Sequence, residues 1–125
     1  MKKATLEDLL ARKASTKLVT KEVDVPAIGM SVTIVKQPLS AVARFLDEMK
    51  PGLTISQQLD IYKGLIYTCV PLFRDEKLQQ AYEVAEPYDV VPAIFDDNIL
   101  AIQSLGDEIL GLYGFADMIK EVKNS

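Results

Sequence analysis

The sequence predicts an α+β fold: a mainly α-helical single domain over residues 1–125 with an N-terminal β-hairpin. Three observations predict it. Apolar and polar residues alternate over about residues 17–36, the period of half-buried strands. From Leu39 onward apolar residues recur in steps of three and four, the period of a helix face. A chain of 125 residues is one domain by length and long enough for a single core, and no linker or low-complexity tract divides it.

The elements follow in order. Thr5 is placed to cap a short helix, with Glu7 and Asp8 near its positive end and Leu6, Leu9 and Leu10 on one face; it should fade near residues 14–16. Val19, Val23 and Val25 then oppose Thr20, Glu22 and Asp24, and Met30, Val32 and Ile34 oppose Ser31 and Thr33. Pro26-Ala27-Ile28-Gly29 joins the two runs, which predicts a hairpin with a loop of four or more residues. Pro38 suits a helix start; Leu39, Val42, Leu46 and Met49, with Phe45, form its face, and Pro51-Gly52 ends it. Thr54 and Gln57 have capping-box spacing. In the helix they open, Ile55, Leu59, Tyr62, Ile66, Cys69 and Phe73 form one stripe, which Ile61 and Leu65 widen, so this is the helix expected to be most buried. Pro71 should end or kink it.

A short helix is expected over residues 75–84, followed by a break at Glu86-Pro87-Tyr88, because residues before proline avoid the helical region. Val90-Val91-Pro92 fits either extended chain or a helix start. The last long helix should begin between Pro92 and Asn98, with Phe95, Ile102, Leu105, Ile109, Leu112, Ala116 and Ile119 on one seam. Gly106 and Gly111 each weaken such a helix by about 1 kcal/mol, and Gly114 reads as its C-terminal signal. The expected order is helix, hairpin, four helices.

Composition narrows the function. At 49% hydrophobic and 26% charged the chain is globular and not disordered. A net charge of −4 argues against nucleic acid, since phosphate contacts need a basic face. From Asp75 to Asp117 there are ten acids and one base, Lys77, whereas residues 1–24 hold six bases and four acids. Such a split serves solubility, or an acidic face that steers a basic partner. One cysteine excludes an internal disulfide framework and suggests a reducing compartment. Glu7 and Asp8 interrupt any signal-peptide core after Met-Lys-Lys, and no apolar run is long enough to span a bilayer. A cytoplasmic location without membrane attachment is expected.

Chemistry-bearing patterns are sparse. There is no histidine, the commonest general base and metal ligand near neutral pH. Gly29, Gly52 and Gly64 stand alone, and no phosphate loop is present. Cys69 sits on an apolar stripe and reads as a buried structural thiol before a nucleophile. Asp96-Asp97 and Asp107-Glu108 are candidate carboxylate pairs. Neighbours on a helix diverge by about 100°, however, so solvated faces are the better reading. Tyr62 and Tyr67 read as core with a wet hydroxyl, and Tyr88, in a proline-flanked break, as a loop anchor or a partner contact. No catalytic residue, metal or cofactor is expected, and the chain reads as a non-enzyme.

Three segments carry a family resemblance: Leu72–Tyr82 (Leu-Phe-Arg-Asp-Glu-Lys-Leu-Gln-Gln-Ala-Tyr), Glu86–Val91 (Glu-Pro-Tyr-Asp-Val-Val) and Ile109–Phe115 (Ile-Leu-Gly-Leu-Tyr-Gly-Phe). The Leu-rich start followed by Val-Thr-Lys-Glu-Val at Val19–Val23 adds to them. Together they resemble the tail assembly chaperones of phages and prophages of Gram-positive bacteria, the XkdN-like group. That resemblance implies a non-enzymatic role in the bacterial cytoplasm. Such proteins bind the tape measure protein, a long helical and partly apolar chain, and keep it soluble during tail assembly. Many members also have a longer frameshifted form whose extension recruits the tail tube protein; the short tail Lys120–Ser125 is too brief to be that extension.

A holdase needs accessible apolar surface with charge around it. The expected contact patch is Leu72, Phe73, Tyr88, Val91, Ile94 and Phe95, large apolar or aromatic residues crowded around breaks; the alternative is that they are core. Three other functions fit the composition: a structural tail or head-completion subunit retained in the particle, a small carboxylate enzyme, and an acidic inhibitor or DNA mimic.

Overall fold

The computed structural model describes residues 1–15 and 18–115. Helix α1 spans Leu6–Ser15. Its start is a reciprocal cap: Thr5 Oγ1 accepts from the Asp8 amide at 3.2 Å, and Asp8 Oδ2 accepts from the Thr5 amide at 3.2 Å. The expected residue 16 lies outside the described residues.

Strands β1 (Thr20–Val25) and β2 (Met30–Val35) pair antiparallel, Thr20 opposite Val35 and Val25 opposite Met30. The four intervening residues close the hairpin as expected: Pro26–Ile28 make a 3-10 turn and Gly29 takes φ +65°, a left-handed conformation that glycine adopts without strain. Val25, Val32 and Ile34 are buried and Val23 is half-buried. Glu22, Asp24, Ser31 and Thr33 face out, Ser31 Oγ donating to Asp24 Oδ1 at 2.6 Å. Val19 departs from the expected inward face. It precedes the strand and is exposed, although its carbonyl accepts the Lys36 amide at 2.9 Å.

Five helices follow the hairpin where four were expected: α2 (Leu39–Glu48), α3 (Ile55–Cys69), α4 (Glu76–Ala81), α5 (Val90–Ile94) and α6 (Ile99–Leu112), with 3-10 turns at Pro71–Arg74 and Pro87–Asp89. The expected capping box opens α3: the Gln57 amide donates to Thr54 Oγ1 at 3.2 Å and the Thr54 amide to Gln57 Oε1 at 2.9 Å. Pro71 ends α3, as its missing amide requires. Helix α4 stops at Ala81 and not near residue 84, since Glu83 has φ +53°. The extra helix, α5, arises because Asp96 and Asp97 take φ +52° and +59°, which no continuous helix tolerates. Asn98 then caps a new helix, its Oδ1 accepting from the Ala101 amide at 3.2 Å, so α6 begins at Ile99, past the expected range. Phe95 is therefore at the end of α5 and not on the α6 seam. Gly114 (φ +82°) closes α6 in a Schellman motif: its amide donates to Gly111 O and the Phe115 amide to Leu110 O, both at 3.2 Å. Ala116 and Ile119, expected on this seam, lie outside the described residues.

The buried residues form one cluster. Helix α3 is its axis, with Ile61, Tyr62, Leu65, Ile66 and Cys69 buried. Helix α2 supplies Val42, Phe45 and Leu46, α6 supplies Ile102, Leu105, Ile109 and Leu110, and the hairpin closes one side. Two ends of expected apolar faces overshoot: Leu39 and Ile55, the first residues of α2 and α3, are exposed. Two glycines let rings lie on backbones. A Cβ on Gly64 would stand 2.1 Å from Phe45 Cε1, and one on Gly106 2.0 Å from Tyr62 Cδ1. Gly106 is thus not a weak point of α6 but the place where α3 and α6 meet.

Candidate functional site

The chain turns sharply after Val70, and that turn builds one wall of an apolar concave surface. In the tight 3-10 turn Pro71–Arg74, neighbouring side chains diverge. Phe73 points inward and meets Phe95 edge-on at 6.0 Å, while Leu72 points out and is 66% exposed. Asp75 caps α4, its Oδ1 accepting from the Lys77 amide at 2.8 Å. Leu78 and Tyr82, one turn apart, then fall on the face toward the hairpin tip. Across from them stand Ile28, Met30 and Val32, and Ile94 lies between. The result is an open groove of about 520 Å³. Met30 (62% exposed), Leu72 and Tyr82 (45%) form its lips. Asp75 and Lys77 supply the charge at its edge.

The six residues expected to form one patch do not share a surface. Leu72, Phe73 and Ile94 line the groove. Val91 and Phe95 are fully buried and Phe73 is only 3% exposed, so these three serve first as core. Short helices between breaks pack inward here because α3 offers them an apolar flank. Tyr88 belongs elsewhere: its ring packs on Tyr67 at 4.9 Å and near Phe45 at 6.3 Å, and its hydroxyl accepts from Arg44 Nη2 at 2.5 Å. Sequence reasoning missed Ile28, Met30, Leu78 and Tyr82 as groove residues, because the hairpin tip and α4 are remote in sequence. The i, i+4 pair Leu78/Tyr82 on an otherwise polar short helix was the available signal.

The other polar constellations hold the fold together. Tyr62 is buried and donates to Asp107 Oδ1 at 2.8 Å, so its hydroxyl is not wet as expected; burial first, then Asp107, pushes its pKa up. Glu108 instead meets Lys21 Nζ of β1 at 2.5 Å. The Asp107-Glu108 pair diverges as helix geometry requires, but into two tertiary ties and not onto a solvated face. Tyr67 is half-buried and its hydroxyl accepts from Gln79 at 3.1 Å. Lys63 bridges Asp89 at 2.9 Å and Asp60 at 3.5 Å, and the Asp89 bond holds its pKa up. Cys69 is a buried free thiol, and burial raises its pKa, which favours the unreactive protonated form. Tyr113 OH donates to Gln37 O at 2.7 Å and accepts from Gln37 N at 2.8 Å; burial pushes it up to about 12. This double bond ties the end of α6 to the β2–α2 connection.

Among the described residues no group of three or more His, Cys, Asp or Glu side chains is placed to hold a metal ion. No helix among them is long and apolar enough to cross a membrane. No family model, curated protein or solved structure matches the chain.

Proposed function

We propose that this chain is a phage tail assembly chaperone that binds the tape measure protein and keeps it soluble while the tail is built, without catalysing a reaction. One observation carries the reading. The apolar groove between the hairpin tip and α4 draws Leu72, Phe73, Leu78, Ala81 and Tyr82 from Leu72–Tyr82, one of the three segments on which the sequence resemblance rests. A groove with apolar lips and a charged edge suits an amphipathic helix laid into it, the helix-in-groove mode of peptide recognition. A long helical tape measure chain offers many such stripes, and a holder of moderate grip per stripe keeps it from aggregating. A role for the tail tube protein belongs to a longer frameshifted form and not to this groove.

The test is co-expression with the tape measure protein, scored as its soluble fraction. The native chain is expected to raise that fraction. Leu72→Glu and Tyr82→Glu, both at exposed positions, are expected to remain folded and lose the effect. Tyr88→Phe, outside the groove lining, is expected to keep it. Recovery of the chain as a stoichiometric component of purified particles would instead favour a structural tail or head-completion subunit.

A further inference from the structure

The sheet has only two strands, so each leaves one edge without a neighbouring strand. The Lys36 amide bonds the Val19 carbonyl, and the register carries that alternation along β1. Lys21, Val23 and Val25 therefore exchange backbone bonds with Ile34, Val32 and Met30, while Thr20, Glu22 and Asp24 turn their amides and carbonyls outward. Among the described residues those outward groups meet no partner. A row of unpaired amides and carbonyls is a template for another strand, and folds commonly cover or blunt it. Here it opens on a cleft of about 340 Å³ whose far wall is α6. Leu100, Ala101, Ser104, Leu105 and Glu108, at helical spacing, line that wall. The β2 edge differs: the Val35 carbonyl accepts from Gln37 Nε2 at 3.3 Å, and Met30, Ser31 and Val32 border the groove.

Charge says what the β1 edge accepts. The cleft lining holds two carboxylates, Asp24 and Glu108, and no base among the described residues. Lys21 neutralises Glu108 at 2.5 Å, so the exposed acids Glu22 and Asp24 set the sign of the edge. The Ser31 hydroxyl bonded to Asp24 leaves its charge in place. Directly opposite residues of paired strands lie on one face, where opposite charges are favourable and like charges are not. A strand added to β1 is therefore favoured by basic side chains opposite Glu22 and Asp24. The residue between them, opposite Val23, turns to the other face, toward Leu100, Ala101 and Leu105, and suits an aliphatic side chain. The same rule disfavours β1 of a second copy, which would set acid against acid.

We propose that the β1 edge binds an extended segment of a partner protein by strand addition, and that this segment alternates basic and aliphatic residues. It adds antiparallel, the more stable pairing per residue. Backbone bonds from Thr20, Glu22 and Asp24 supply grip that is blind to sequence, and the two acids with the cleft beside them supply selectivity. The cleft shares no lining residue with the groove, so strand addition here does not rest on the helix-in-groove reading.

Amide NMR of the full chain, titrated with a short end-blocked peptide alternating lysine and valine, tests this. Shifts are expected along β1 and the α6 wall, with slowed hydrogen exchange at the Glu22 and Asp24 amides. A glutamate–valine peptide is expected to bind at least about tenfold more weakly. Glu22→Lys/Asp24→Lys, at two exposed positions, is expected to reverse that preference. The peptide supplies a control that leaves the protein untouched. Methylating the lysine amides, which face β1 in an antiparallel pair, is expected to abolish binding, and methylating the valine amides to leave it. No shift at β1 with millimolar peptide overturns the proposal. So does binding that survives lysine N-methylation, a charge-reversed variant that still prefers the basic peptide, or shifts confined to Met30, Leu72 and Tyr82 of the groove. A native chain that self-associates with Glu22 and Asp24 already slow to exchange also overturns it, because a second copy then holds the edge.

Discussion

Two regions of this molecule use the same residue types to opposite ends. Along the seam where α2, α3 and α6 meet, leucines, isoleucines and two aromatic rings close so tightly that Gly64 and Gly106 have no room for a methyl group. Around the hairpin tip, α4 and α1, similar residues stay open: Met30, Leu72 and Tyr82 at the groove, Leu6, Leu9 and Leu10 on the helix. The seam is where apolar contact stabilises the fold. The open surface contributes little to stability in the single chain and is free to contribute to binding. Burial and not residue type separates the two, so substitutions at the seam should move stability and those at the groove should move association.

The largest effect expected is at Phe95, which is buried against Phe73. Phe95→Ala should cost about 3–5 kcal/mol in denaturant unfolding, the usual range for a buried ring. A cost under about 1 kcal/mol would mean that Phe95 belongs to the open surface.

A sharper contrast lies within α6. Gly106→Ala forces a methyl group into the Tyr62 ring, which cannot swing aside because its hydroxyl is bonded to Asp107. Overpacking of about 1–3 kcal/mol or more should outweigh a helix-propensity gain of about 1 kcal/mol, leaving a net loss. Gly111→Ala, five residues on, meets nothing within 4 Å and should stabilise by up to about 1 kcal/mol. Thermal melts of the two variants should therefore shift in opposite directions.

Tyr62→Phe removes the bond to Asp107 and should cost about 1–2 kcal/mol at neutral pH. It should also change the alkaline limb of stability. The folded Tyr62 holds its proton more tightly than the unfolded one, so above about pH 10 the unfolded chain binds fewer protons and stability falls as pH rises. Tyr113 acts in the same direction between the ordinary tyrosine pKa and about 12. Native protein should lose stability steeply above pH 10, and Tyr62→Phe less steeply, as followed by denaturant midpoints across pH.

The smallest stability change is expected at the groove lip. Leu72→Glu should alter unfolding of the single chain by no more than about 0.5 kcal/mol while abolishing the proposed hold on tape measure protein. A large loss of stability there would erase the distinction between the two regions.

Much of the fold was legible in the sequence because its cues are local. Thr5 and Thr54 announce their caps within three residues, Gly114 its turn, and Pro71 its break. The alternation around Pro26–Gly29 sets a hairpin whose register follows from a four-residue loop. The cues failed where a local conformation overrode periodicity. Asp96 and Asp97 in left-handed geometry split one expected helix into two, and Glu83 cut another short.

The site was less legible. Leu72, Phe73, Val91 and Phe95 look alike in a sequence, and a helical period says that a residue faces something without saying whether anything is there. By itself the sequence determined the hairpin, the helices up to Cys69, the absence of histidine chemistry and the uneven spread of charge, since these depend on neighbours a few residues apart. Only the tertiary structure decided that Val91 and Phe95 are enclosed, that Gly106 receives the Tyr62 ring, and that the hairpin tip and α4 face each other across an open groove. The physical reason is that burial is a property of pairs of surfaces, and the surfaces that meet here are contributed by segments about 20 to 50 residues apart.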